Sequence, residues 1–266
     1  ANALVTLSEV PHREFPEFPD VQVEKAAGII ANYLGGAEER YLTQAECRPI
    51  FECYRLPLLK SGVAVSEAQA VEIAQKFERP VAMKIMSKDV VHKYDAGGVV
   101  LGVQGPGAVA AVWRKIHENI VRNVPGAKID GVLIEEMAGP GVEVILGATR
   151  DERFGPLMMF GLGGTFVEVL KDVSFRLAPM WRISAEKMIR EIRAYKILTG
   201  VRGNPPSDIA AIEETLLRLS TLVCNHPAIS ELDINPLIVH PVGKGCSVAD
   251  SRIMLRRSDG KPCPKP

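Results

Sequence analysis

Hydrophobic positions in the first half of the chain switch repeatedly between a period of two and a period near 3.6. Val81, Met83 and Ile85 interleave with Ala82, Lys84 and Met86, which predicts a strand over Val81–Met86 with two unlike faces. Ahead of it the pattern predicts an extended, proline-bearing arm over 4–20, helices at Val21–Tyr33 and Ala45–Leu56, a strand at Gly62–Val65, and a helix from Ser66 to Phe77 with Ser66 as its N-cap. After the loop Ser87–Ala96 it predicts a strand at Gly97–Val103, a helix Ala108–Val121 behind Gly105-Pro106-Gly107, and a strand Gly131–Glu135.

The break Gly139-Pro140-Gly141 separates this set from a second one. Strands are expected at Val142–Thr149 and Pro156–Phe160, followed by the glycine-rich turn Gly161-Leu162-Gly163-Gly164. Beyond Ser207, Ile209, Ile212, Leu216, Leu219 and Val223 recur at helical spacing and form one apolar stripe, ended by Asn225-His226-Pro227. Strands at Glu231–Val239 and Cys246–Asp250 close the pattern, joined by the six residues His240 to Gly245, and a polar, proline-bearing tail follows. The fold class is α/β (α+β) with two lobes: an arm over 1–39, a first lobe over 40–138, a second over 139–258, and a tail over 259–266.

Composition narrows the function classes. In 266 residues, 47% are hydrophobic, enough to bury a substantial core. Lysine plus arginine and aspartate plus glutamate stand at 32 each, so no overall field draws nucleic acid or an anionic membrane, and phosphate binding has to be local. The five cysteines show neither a C-x-x-C pair nor metal-ligand spacing to histidine, which points to free thiols in a reducing cytoplasm. No apolar run reaches the roughly 18 residues of a membrane span.

Several residues carry candidate chemistry. Lys84 sits mid-strand, where an ammonium either extends to water at an edge or requires an anionic partner. His92-Lys93-Tyr94-Asp95-Ala96-Gly97-Gly98 joins basic side chains to a glycine pair that lets backbone amides approach a phosphate, although it does not match the Walker pattern. Glu135, Glu136 and Glu143 bracket the break between lobes, as a nucleotide border or as a solvated acidic linker. Glu231, Asp233 and Asn235 alternate on one strand face while Leu232 and Ile234 face the core. If the final two strands pair symmetrically with Val239 opposite Cys246, Asn235 lies opposite Asp250 and two hard-oxygen ligands converge, an arrangement suited to magnesium. Arg150, Arg153, Lys171 and Arg176 could clamp phosphate, but individually each reads as a surface residue.

Lys84, the segment His92 to Val99, the stretch Glu143 to Gly164, the run Lys171 to Arg176, and Glu231-Leu232-Asp233-Ile234-Asn235-Pro236-Leu237 together resemble the ATP-grasp portion of NDP-forming acyl-CoA synthetases, relatives of the succinyl-CoA synthetase β subunit. The resemblance covers roughly residues 40 to 255 and implies an ATP-grasp fold with nucleotide bound between two lobes. It implies a reversible reaction in which acyl-CoA, ADP and phosphate give acid, CoA and ATP through an acyl phosphate and a phosphohistidine, with ATP or ADP as substrate and Mg2+ as cofactor. Lys84, Gly97 and Gly98 are then expected at the nucleotide phosphates, Glu135, Glu136 and Glu143 at base and ribose, Asn235 and Asp250 at magnesium, Asp233 beside the incoming phosphohistidine, and His92 as a second phosphoryl-carrying histidine. Residues 4–35 resemble the end of a ligase-CoA module, so CoA-binding and phosphohistidine-bearing modules are the implied partners, fused or as a separate subunit. Neither nucleic acid nor membrane is implied, and an oligomer is compatible. A different class remains open: a non-catalytic regulatory module of a multidomain protein lysine acetyltransferase, against which the intact Asp233, Asn235 and Asp250 set argues.

Overall fold

The computed structural model describes residues 15–90, 92–164, 172–201, 203–258 and 263, and divides the chain into two units, Leu58–Gly139 and the remainder on either side of it. In the smaller unit, β2 (Ser61–Ala64), β3 (Val81–Met86), β4 (Val99–Val103) and β5 (Gly131–Glu136) form an antiparallel sheet in the order β2-β5-β3-β4. The alternation in β3 has its expected result: Val81, Met83 and Ile85 enter a core with Val132 and Ile134 from β5. Two helices close that core, α3 (Glu67–Gln75) through Ala70 and α4 (Pro106–Asn123) through Val109, Trp113, Ile116 and Ile120. Each fully buried branched or thioether side chain there contributes about 1.5–3 kcal/mol. Ser66 caps α3 by accepting a hydrogen bond from the Gln69 amide. Helix α4 starts two residues before the expected Ala108, because Pro106 at N1 has its φ preset for the first turn and no N–H to leave unpaired.

The larger unit is built on a seven-stranded antiparallel sheet. Its strands are β1 (Glu39–Leu42), β6 (Val142–Asp151), β7 (Gly155–Leu162), β8 (Val173–Leu177), β9 (Ile229–Val239), β10 (Cys246–Val248) and β11 (Ser251–Arg256), in the order β1-β11-β9-β6-β7-β8 with β10 also on β9. Helix α1 (Val23–Leu34) precedes β1, and α2 (Gln44–Cys53) follows it with a capping box between Thr43 and Glu46. Helices α5 (Arg182–Glu191), α6 (Tyr195–Leu198) and α7 (Ile209–Asn225) also belong to this unit, and α7 buries Ile212, Leu216, Leu219 and Val223 of the expected stripe.

Three features differ from the sequence expectation. Residues 251–256 are a strand beside β9 and not the start of a tail. Residues 40–57, assigned above to the first lobe, group with the larger unit, because β1 pairs with β11 and Cys47, Ile50 and Phe51 of α2 are buried. Strand β8 and helix α5, unassigned from the sequence, form the far edge of the larger sheet and its neighbouring helix. Among the described residues no helix is long and apolar enough to cross a membrane.

One buried polar network ties α2 to α7. The Tyr54 hydroxyl lies 2.9 Å from His226 Nε2 and accepts from Asn225 Nδ2 at 2.9 Å, with the two rings edge to face. Burial lowers the His226 pKa from 6.5 to about 4 and pushes Tyr54 up to about 12. The unfolded histidine therefore binds a proton that the folded one refuses, so this contribution to stability is complete above pH 6.5 and is lost as pH falls towards 4. Urea midpoints followed through Trp181, which lies in the larger unit, are expected to drop across that window in wild type and to drop less in His226→Gln. Equal slopes for the two proteins would assign the acid sensitivity elsewhere.

Candidate functional site

In the smaller unit, strand register brings one cation and one carboxylate together. Lys84 lies between Val99 of β4 and Leu133 of β5, on the face of β3 opposite the core. Glu135 lies across from Ala82, two positions along that same face, and Lys84 Nζ donates to its Oε2 at 2.6 Å. The side chains are 13% and 5% exposed, so this is a buried ion pair and not a surface contact. Lys84 thus has the anionic partner that a lysine within a sheet requires. Glu136 lies opposite Val81, on the helix-covered side at the end of β5, so the two adjacent glutamates do not share a face. Glu143 belongs to the larger unit, exposed near the start of β6.

The loop after β3 is a closed turn. Ala96, Gly97 and Gly98 amides donate to the carbonyls of His92, Tyr94 and Lys93 at 3.0, 3.0 and 2.7 Å. Asn119 and Asn123 of α4 donate to the Gly97 and Ala96 carbonyls and anchor the turn on the helix. Gly97 has φ +71°, and a Cβ on Gly98 would stand 2.5 Å from Ile85 Cγ2. The glycine amides are therefore engaged within the loop, and the glycines serve backbone conformation and close packing. They leave His92 exposed beside the similarly exposed Tyr94 and Asp95.

In the larger unit the register of the last strands follows from the connection length. Cys246 pairs with Val239 and Val248 with Leu237, and the Asn235 amide donates to the Asp250 carbonyl at 3.2 Å. Beyond a two-residue break β11 continues along β9 in the same register, setting Arg252 opposite Asp233. Leu232 and Ile234 are buried, Asp233 is half-buried, and Glu231 and Asn235 are exposed, as the alternation requires. Asp250 is exposed, with Oδ1 accepting from the Ser251 amide at 2.8 Å. Burial raises the Asp233 pKa, the Arg252 charge lowers it, and the Asp250 charge raises it again.

An amide oxygen and a carboxylate from opposed positions fit a magnesium ion that completes its shell with phosphate oxygens and water. Among the described residues no group of three or more His, Cys, Asp or Glu side chains gathers at metal distance, so such an ion would depend on a bound phosphate ligand. Near this face the glycine-rich turn packs closely on β6: the Gly163 amide donates to the Glu143 carbonyl at 2.8 Å, and a Cβ on Gly163 would meet Glu143 at 3.0 Å.

Of the four basic residues flanking this region, Arg150 donates to the Ile229 and Val223 carbonyls and Arg176 pairs with Glu191, both structural roles. Arg153 is exposed, and Lys171 lies outside the described residues. Sequence reasoning missed Arg252 and Tyr41, which line one cavity with Asp233. The short apolar run Ile253-Met254-Leu255 between Arg252 and Arg256 was the available signal for that strand.

An ATP-grasp domain model matches residues 35–255. The chain is 44% identical over 216 residues to ADP-forming acetate-CoA ligase II subunit beta of Pyrococcus furiosus, covering 81% of this chain and 92% of that protein. It is 43% identical over 235 residues to ADP-forming acetate-CoA ligase I of Archaeoglobus fulgidus, covering 88% of this chain but 34% of that longer protein. Among solved structures, acetyl-coenzyme A synthetase 1 of Ca. Korarchaeum cryptofilum, in complex with coenzyme A, Ca-AMPCP and HgCl+, aligns with TM-score 0.83 at 43% identity over 87% of this chain and 100% of that one. The same enzyme with coenzyme A and Mg-AMPPCP, its phosphohistidine segment pointing towards the nucleotide binding site, aligns with TM-score 0.73 at 39% identity over 85% of this chain and 100% of that one.

Proposed function

The chain belongs to the ATP-grasp domain family, in the branch of ADP-forming acyl-CoA synthetases, and from that premise we propose that it is the nucleotide-handling unit of such a synthetase. In this reading it transfers a phosphoryl group between a phosphohistidine on a partner module and ADP. The observation that carries the reading is the opposition of Asn235 and Asp250 with Asp233 on the same sheet face. The lengths of the relatives support a partner: the chain spans about a third of a fused synthetase and nearly all of a separate β subunit. The CoA-binding and phosphohistidine-bearing modules are accordingly proposed as partners, with the acyl chemistry residing there.

In the direction of ATP synthesis, an ADP β-phosphate oxygen attacks the phosphohistidine phosphorus, the P–N bond breaks, and the imidazole keeps the electron pair. Such a transfer needs alignment and charge stabilisation more than protein nucleophilicity. Lys84, held by Glu135 at 2.6 Å, supplies a fixed positive charge for the nucleotide phosphates. Asn235 and Asp250 would hold Mg2+, which when bound would neutralise charge on the phosphate oxygens. Glu135 and Glu143 border the nucleotide in this reading, and Glu136 does so only from the strand end. Gly97 and Gly98 set the shape of a loop that carries His92, an exposed imidazole able to accept a phosphoryl group in relay.

Calorimetric titration of the full chain with ADP tests the reading. Binding is expected with Mg2+ present and at least about tenfold weaker with the metal chelated. Absence of ADP binding in a folded protein would sink it.

A further inference from the structure

Resting on that functional reading, we propose that Arg252 is the residue that recognises the phosphoryl group of the incoming phosphohistidine, pairing with Asp233 so that both halves of the phosphoimidazole are bound. The two residues are direct cross-strand partners on β11 and β9. They line a cavity of about 170 Å3 in the larger unit together with Tyr41, Thr149, Met159 and Glu231. That volume is far above the roughly 10–15 Å3 a single water needs, so the cavity admits a ring-sized group.

Among the described residues neither the Arg252 guanidinium nor the Asp233 carboxylate makes a side-chain hydrogen bond or ion pair, although they face each other in register. What holds Arg252 is the ring of Tyr41, whose centroid lies 5.0 Å from its central carbon. The contact holds the guanidinium against the ring and leaves its N–H groups for a ligand.

The pairing of charges decides the ligand class. A phosphoryl group offers oxygens that match the guanidinium fork, and the imidazole bearing it, once protonated on its other ring nitrogen, offers an N–H to a carboxylate. Free phosphate would gain Arg252 but meet the Asp233 and Glu231 charges, and free imidazole would engage Asp233 and leave Arg252 unused. Only the joined molecule satisfies both. Position agrees: Asp250 and Arg252 are two residues apart, as are Asn235 and Asp233, so the proposed magnesium ligands lie about 6–7 Å along the strands on the same face.

The test titrates the full chain with N-phosphorylimidazole, imidazole and inorganic phosphate, following ligand signals by saturation-transfer NMR. Wild type is expected to prefer N-phosphorylimidazole to both fragments. In Arg252→Ala the preference over imidazole should collapse by roughly 10- to 100-fold, with partial rescue in Arg252→Lys, and with imidazole affinity and thermal midpoint retained. Failure of wild type to bind N-phosphorylimidazole, equal binding of free phosphate, or an unchanged preference in Arg252→Ala overturns the inference. Magnesium-dependent ADP binding by wild type, measured alongside, reports separately on the functional reading.

Discussion

Replacing Asp250 with alanine is expected to lower magnesium-dependent ATP formation from ADP and the phosphorylated partner module by roughly 10²–10³-fold. The loss is large because phosphoryl transfer relies on charge neutralisation, and Asp250 is the only carboxylate of the proposed Asn235–Asp250 ligand pair. The fold should tolerate the change. Asp250 is exposed, and the 2.8 Å hydrogen bond that its Oδ1 accepts from the following Ser251 amide lies at the break between β10 and β11, where water can replace it. Surface changes of this kind usually stay within about 0.5 kcal/mol. Asp250→Asn, retaining an oxygen but not the charge, should fall between the two and demand more magnesium for half-maximal rate. A coupled ATP assay across a magnesium series reads both effects. Activity of Asp250→Ala within twofold of wild type, at any magnesium concentration, would remove the residue from the metal site.

The legibility of this site in the sequence was uneven, for physical reasons. The opposition of Asn235 and Asp250 could be derived because a connection of known length between two strands leaves few registers, and the buried Leu232 and Ile234 forbid a one-residue slip. Strand β11 escaped notice because it follows β10 after only two residues, Ala249 and Asp250, a gap shorter than the clusters of turn residues that normally separate strands. Strand β1 has four residues, too few for a period to declare itself, and its pairing with β11 joins positions more than two hundred residues apart. The same distance in sequence hid the cavity that Tyr41 and Arg252 share. Gly97 and Gly98 were legible as necessary glycines, yet the sequence could not tell amides that await a phosphate from amides that close their own turn. The family resemblance supplied the acyl-CoA chemistry, which no residue pattern in this chain encodes by itself.

Lys84→Met is expected to destabilise the smaller unit by roughly 3 kcal/mol, at the low end for breaking a buried ion pair. The sequence showed that a lysine within β3 needs an anion, and the structure identifies it as Glu135, 51 residues away along the chain. With the ammonium gone, a carboxylate side chain only 5% exposed loses its 2.6 Å partner while methionine restores most of the lysine's volume, so the cost is electrostatic and not a cavity. Unfolding in urea, followed through Trp113 in a Trp181→Phe background, isolates this unit because Trp113 lies in its core. A second substitution separates stability from function. Lys84→Met combined with Glu135→Leu replaces the ion pair by apolar groups and should recover most of the lost stability, since such replacements are often neutral. It should still bind ADP with magnesium at least about tenfold more weakly than wild type, because the positive charge assigned to the phosphates is absent. A double variant that recovers both stability and nucleotide affinity would reduce Lys84 to a structural residue, and a single variant as stable as wild type would mean that Glu135 is held by other contacts.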